Sequence, residues 1–273
     1  MEYKLVALDL DDTLLRPDQT IDPQAKGLIL ELKKRGLEFI IATGRSYSAA
    51  LPFYRDLNLN TSIICHNGAH VRSAEGKILL HRPISPDLAR EVLQFASEHG
   101  LEACAYIKDD LMFRRRTDLT CSYEYSTGIR GNPTHYPLYK VIDEPPAKIL
   151  ILEDDKKRHE YYLQLIEERY RKRLNITTSR PEFIEIIASG VDKSRALSDL
   201  CRRKGFDREE TVAVGNGLND LEMIKWAGLG AAVANAPETV RTAADIVTAS
   251  NEEEGVARFL QELFQTAAHD RSG

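Results

Sequence analysis

Short apolar runs recur along the chain, and most are followed by a polar turn and then by a stretch whose apolar positions fall three and four residues apart. Lys4-Leu5-Val6-Ala7-Leu8, Glu38 to Ala42, Thr61 to Cys65, Thr211 to Val214, Gly230 to Val233 and Ile246-Val247 read as strands. Between them lie helices. Asp22-Pro23 supplies an N-cap and a first-turn proline, and Lys33, Lys34 and Arg35 crowd the last turn before Gly36. Further helices are predicted over Ser46 to Leu57, Lys193 to Lys204, from Pro237, and over Glu254 to Phe264. Strands alternating with helices predict an α/β fold with a doubly wound, Rossmann-like parallel sheet and right-handed crossovers.

This grammar is interrupted from about Pro83. A helix over Pro86 to His99 is followed by strands over Glu102 to Ile107 and Leu111 to Arg114, then by a weakly patterned stretch from Asp118 to Pro146. A strand at Lys148 to Leu152, a helix from Lys156 to Arg173, and strands at Ile176 to Thr178 and Phe183 to Ile187 complete the interruption. The prediction is a discontinuous core, 1–83 and 189–273, with an inserted α+β cap over 84–188 whose helices lie on one face of its sheet.

The first strand delivers Asp9-Leu10-Asp11-Asp12-Thr13 to the carboxyl end of the sheet, where open α/β folds place their chemistry. Carboxylates two residues apart on a strand leave on the same side and repel, so they call for a cation between them or a retained proton. A hard divalent ion such as Mg2+ and a nucleophilic aspartate both fit. The other strand ends and helix starts carry Thr43-Gly44-Arg45, His66-Asn67-Gly68, Lys193, and Gly215-Asn216-Gly217-Leu218-Asn219-Asp220.

Taken together, DLDDTLL at 9–15, TGR at 43–45, NGA at 67–69, GVDK at 190–193 and GNGLND at 215–220 resemble the haloacid dehalogenase (HAD) superfamily. More specifically, they resemble the Cof-like phosphatases with a large type IIB cap. The resemblance implies an aspartyl-phosphate on Asp9, with Asp11 as general acid/base and Thr43 and Lys193 assisting catalysis. Thr43, Gly44, Arg45, Asn67, Lys193 and Asn219 would contact substrate. Asp9, Asp11, Asn216 and Asp220 would form the Mg2+ site, with Asp220 supplying charge from behind Asn216. The nearby Asp9 charge is expected to raise the pKa of Asp11, as an acid/base requires. Two positions depart from the family pattern: Asn216 stands where Asp is usual, and Ser194, expected to cap the following helix, where Gly is common.

Composition narrows the partners. With 37 Lys plus Arg against 42 Asp plus Glu, the net charge of −5 argues against a general nucleic-acid binder. Four dispersed cysteines without zinc-site spacing, no apolar leader and no long apolar run lead to the expectation of a cytoplasmic protein that does not engage membranes, a monomer or homodimer. The substrate is expected to be a small phosphorylated metabolite, of the sugar phosphate, flavin-precursor phosphate or pyridoxal phosphate type. Arg114, Arg116, Tyr123, Tyr125, His135 and Tyr136 are candidate cap contacts. The alternatives are a phosphomutase and a catalytically idle protein that binds a phosphorylated ligand.

Overall fold

The computed structural model describes residues 3–269, with side chains through Phe264. The chain opens with β1 (Leu5–Leu8), α1 (Pro23–Lys34), β2 (Glu38–Ile41), α2 (Tyr47–Asp56), β3 (Ile63–Cys65), β4 (His70–Arg72) and β5 (Ile78–His81). The middle of the chain holds α3 (Pro86–Glu98), β6 (Glu102–Ile107), β7 (Asp110–Phe113), α4 (Asp118–Thr127), β8 (Asn132–Pro133) and α5 (Leu138–Val141). It continues with β9 (Lys148–Leu152), α6 (Lys156–Tyr170), β10 (Leu174–Thr177) and β11 (Phe183–Ala188). The last part comprises α7 (Lys193–Lys204), β12 (Thr211–Gly215), α8 (Leu221–Trp226), β13 (Leu229–Val233), α9 (Glu238–Ala243), β14 (Ile246–Thr248) and α10 (Gly255–His269).

The core sheet runs β14-β13-β12-β1-β2, all parallel. Every residue of β1 is buried because both faces are covered, which is why it reads as an unbroken apolar run. The alternation of side chains is still visible in what they touch. Val6 and Leu8 pack with Ile29 and Leu32 of α1 and Phe259 of α10, while Leu5 and Ala7 pack with Leu197 and Leu200 of α7. Asp22 caps α1 as predicted, accepting from the amides of Gln24 and Ala25. A bridge from Ala42 to Ile64 ties the edge of the core to a small antiparallel sheet, β3-β4-β5.

The cap sheet has the order β10-β11-β9-β6-β7-β8, antiparallel except for the β7–β8 pair. Its helices do not share one face, contrary to the sequence expectation. Ala105, Ile149 and Ile151 pack against Leu93 of α3 and Ile166 of α6, whereas Cys104, Tyr106 and Leu150 pack against Tyr123 and Leu119 of α4. The weakly patterned stretch therefore conceals a helix. Thr117 and Thr120 form its capping box and Gly128, at φ +69°, ends it. No helix among the described residues is long and apolar enough to cross a membrane.

Candidate active site

The polypeptide leaves the buried end of β1 at Asp9 and turns abruptly through Asp11 and Asp12, the latter at φ +58°. Asp9 is almost fully buried, and one of its oxygens accepts a 2.6 Å hydrogen bond from Nζ of Lys193, the first residue of α7. The same ammonium donates at 2.6 Å to Oδ1 of Asp220. Oδ2 of Asp220 accepts from the amides of Asn216 (3.0 Å) and Gly217 (2.9 Å). Both Asp220 oxygens are thus engaged inside the protein, and the carboxylate lies behind Asn216.

Burial is the main influence that pushes the Asp9 carboxyl up, to about 7; the charge of Asp220 adds to it and Lys193 partly opposes it. The ammonium of Lys193 is held above its usual value, because the Asp220 and Asp9 charges outweigh the cost of its burial. A cluster with two buried carboxylates and one ammonium favours an additional cation.

Asp11 behaves opposite to the sequence expectation. Burial would raise its pKa, but Arg45 outweighs this with hydrogen bonds and charge, assisted by Arg180 and Lys193, and the carboxyl is held below its ordinary value. The geometry explains it: Nε and Nη2 of Arg45 donate to the two Asp11 oxygens at 2.8 and 2.7 Å. Arg180, from the turn between β10 and β11, comes within 3.7 Å of Asp11 and donates to Asp12 at 3.2 Å. Arg45 also reaches Gln19 and the carbonyl of Ser126 in the cap. Arg45 is therefore engaged with protein groups in this conformation.

Several candidates are buried. The Thr43 hydroxyl is buried and accepts from the Arg45 amide at 3.1 Å. Asn67 is also buried, donating to Glu185 at 3.0 Å and accepting from Asn219 at 3.0 Å. Asp192, rather than Ser194, caps α7; Ser194 donates its hydroxyl proton to Asp192 at 2.6 Å. Asn216 accepts from Thr13 at 3.0 Å.

A small cleft opens between the core strand ends and the cap. Asp9, Asp11, Gly44, Arg45, Asn216 and Asn219 form its floor, and Tyr123, Ser126, Lys148, Ser179, Arg180 and Glu185 are among its cap-side walls. Of the six cap candidates, only Tyr123 lines it. Tyr125 and Tyr136 are exposed, Arg116 pairs with Glu124, Arg114 lines a separate hollow near Gly100, and the amide of His135 bonds back to the Arg114 carbonyl.

Sequence reasoning missed Lys148 and Glu185, a buried pair at 2.7 Å whose ammonium also donates to the Gly44 carbonyl at 2.6 Å. A single charged residue in each of two otherwise apolar strands was the available signal. Arg180 lies in a turn with no pattern to mark it.

Gly68 shows how closely the elements must approach. It sits at φ +98°, and a Cβ there would fall well inside contact distance of the Asp192 carbonyl oxygen just before Lys193. Gly68→Ala is expected to destabilise the protein by about 1–3 kcal/mol and to displace the start of α7. Thermal melts and phosphate affinity, compared with wild type, will check both effects.

A family model described as haloacid dehalogenase-like hydrolase matches residues 6–260. The chain is 33% identical over 278 residues to 5-amino-6-(5-phospho-D-ribitylamino)uracil phosphatase YitU of Bacillus subtilis, covering 97% of this chain and 99% of that one. It is 27% identical to pyridoxal phosphate phosphatase YbhA of Escherichia coli, covering 95% and 98% respectively. A crystal structure of a haloacid dehalogenase-like hydrolase from Bacteroides thetaiotaomicron superimposes with a TM-score of 0.86 at 29% identity, covering 96% of this chain and all of that one. The motifs at the strand ends, the capped parallel core and these likenesses agree: the chain belongs to the haloacid dehalogenase-like hydrolases.

Proposed function

We propose that the protein is a Mg2+-dependent phosphatase that hydrolyses small phosphorylated metabolites through a phosphoryl group carried transiently on Asp9. The observation that carries this reading is the placement of Asp9, Asp11 and Asn216 around one cleft, with Lys193 against Asp9. In the first step an Asp9 oxygen bonds to phosphorus, the ester P–O bond breaks, and the leaving oxygen takes a proton from Asp11. In the second, Asp11 removes a proton from water, the water oxygen bonds to phosphorus, and the bond to Asp9 breaks. Lys193 offsets charge on Asp9 and the phosphoryl oxygens throughout.

Asp11 needs release from Arg45 before it can carry a proton. A phosphate entering the cleft offers Arg45 a competing bidentate anion, so substrate binding itself would free the acid/base. Thr43 and the nearby backbone would position the phosphate, with Gly44 and Asn219 on the cleft floor and Asn67 holding Asn219 in place.

The donor set suits a hard cation: Asp9 and Asn216 offer oxygens at the mouth of a buried acidic cluster that favours added positive charge. Asp9, Asn216 and an oxygen of Asp11 would hold Mg2+, with Asp220 supplying charge from behind; the ion would neutralise the phosphoryl oxygens. Because Asn216 contributes no formal charge, Asn216→Asp is expected to lower the Mg2+ concentration for half-maximal rate by about tenfold, or ~1.4 kcal/mol. A Mg2+ titration of both proteins decides this, and an unchanged midpoint removes Asn216 from the ligand set.

The test of the whole reading is phosphate release from a panel including pyridoxal phosphate, sugar phosphates and a phosphorylated ribitylaminouracil, with and without Mg2+. Metal-dependent release supports it. No release from any ester at millimolar Mg2+ would favour the idle ligand-binding alternative. Phosphoryl migration within a substrate, without release, would favour a mutase.

A further inference from the structure

We propose that His66, His70 and Asp109 form a second metal site, selective for a zinc-type divalent ion, which bridges the cap to the core outside the phosphoryl cleft. The proposal is independent of the phosphatase reading. His66 and His70 flank the turn between β3 and β4 and are essentially buried, whereas Asp109 comes from the cap hairpin between β6 and β7. Their donor atoms all lie within 4.8 Å of one another, and His66 Nε2 is 3.7 Å from Asp109 Oδ1. That separation is too long for a hydrogen bond.

The feature that points to a ligand is the state of the imidazoles. Neither ring nitrogen of His66 has a hydrogen-bond partner, and Nε2 of His70 has none. Burying unsatisfied polar nitrogens is costly, and two such rings that each bring a nitrogen within 4.8 Å of the Asp109 carboxylate are hard to reconcile with simple packing. Burial also keeps both rings in the neutral form that ligates metals, with His70 lowered to about 4.

Two nitrogens and a carboxylate oxygen match zinc, with water completing a tetrahedron. Ligands about 2.0–2.2 Å from zinc stand ~3.4 Å apart, so side-chain adjustments of roughly 1 Å complete the shell. Two cations face the cluster: Lys148, which is neutralised by Glu185, and Arg72, which acts on His70 and lies over the ring of Tyr47. The Asp109 carboxylate already accepts from the amides of Tyr47 and Ser48 at the start of α2, at 2.8 and 2.9 Å, which orients it and marks the hairpin as a cap-to-core contact. A bound ion would reinforce that contact.

Co2+ is the probe, added to the full chain in saturating Mg2+ and followed by its visible ligand-field bands. The expected result is one equivalent with four-coordinate bands, present in Asp9→Asn and absent in His70→Gln and Asp109→Asn. Zn2+ at a hundredfold excess over its Kd should raise the Tm of wild type by about 5–10 °C and leave that of His70→Gln unmoved. Absence of the bands in wild type overturns the site. So do bands that survive in His70→Gln but vanish in Asp9→Asn, since they would place the ion in the cleft. Should His70→Gln fail to fold, Asp109→Asn carries the same comparison.

Discussion

Replacing Asp9 by Asn is expected to lower phosphate release by about 10⁴-fold or more while leaving the protein at least as stable as wild type. The loss would follow from removing the carboxylate proposed to attack phosphorus, since the other carboxylate held by Lys193, that of Asp220, lies behind Asn216 and does not line the cleft. The retained stability follows from the same surroundings. Burial and the Asp220 charge already disfavour an ionised Asp9, so a neutral amide removes an electrostatic penalty, and Lys193 keeps its 2.6 Å contact with Asp220. Phosphate release and a thermal melt on the same preparation separate the two effects. Activity above one-hundredth of wild type (roughly 2.7 kcal/mol in the barrier) would disqualify Asp9 as the nucleophile.

Lys148→Met is expected to cost about 3–5 kcal/mol, because it leaves Glu185 charged and nearly inaccessible to water with only Asn67 and neighbouring hydroxyls for company. For a chain of this size that corresponds to a fall in Tm of roughly 6–20 °C. The double variant Lys148→Met/Glu185→Gln should recover more than half of the loss, since the uncompensated charge is gone and the glutamine oxygen still accepts from Asn67. Denaturant melts of the two single variants and the double variant form the required cycle. Simple additivity would show that the pair is not coupled. The single variant should also disturb the cleft, because Lys148 is the donor that fixes the Gly44 carbonyl.

The parallel core was legible because its signals are local. The β1 run, the Asp22-Pro23 cap and the Gly36 stop each act within a few residues, and the ends of the observed elements differ from the sequence reading by only a residue or two in most cases. The cap was less legible for physical reasons. Helix α4 buries little more than Tyr123 and Thr120, so no stripe of apolar positions announces it. Six residues singled out from the sequence, Asp9, Asp11, Gly44, Arg45, Asn216 and Asn219, line one cleft, but their electrostatics differ from the sequence reading. Sequence places Asp9 beside Asp11 and suggests mutual repulsion; it cannot show that Arg45 grips Asp11 from 34 residues away or that Asp220 acts on Asp9 more strongly than Asp11 does. Lys148, Arg180 and Glu185 were missed because their importance comes from the cap folding over the core.

The neighbour of β1 in the core sheet is β12, and the pairing of Leu5 with Thr211 joins residues on either side of the entire cap. A ribosome adding about 5–20 residues per second needs roughly 10–40 s to produce the second after the first. For that interval the newborn chain carries a wholly apolar strand with one edge bare, the kind of edge on which chains adhere to one another. The cap, whose strands all lie within one contiguous segment, can complete its own sheet during the wait. Biogenesis of this protein is therefore expected to pass through a species with a finished lid and a half-built base, and chaperone demand should peak there.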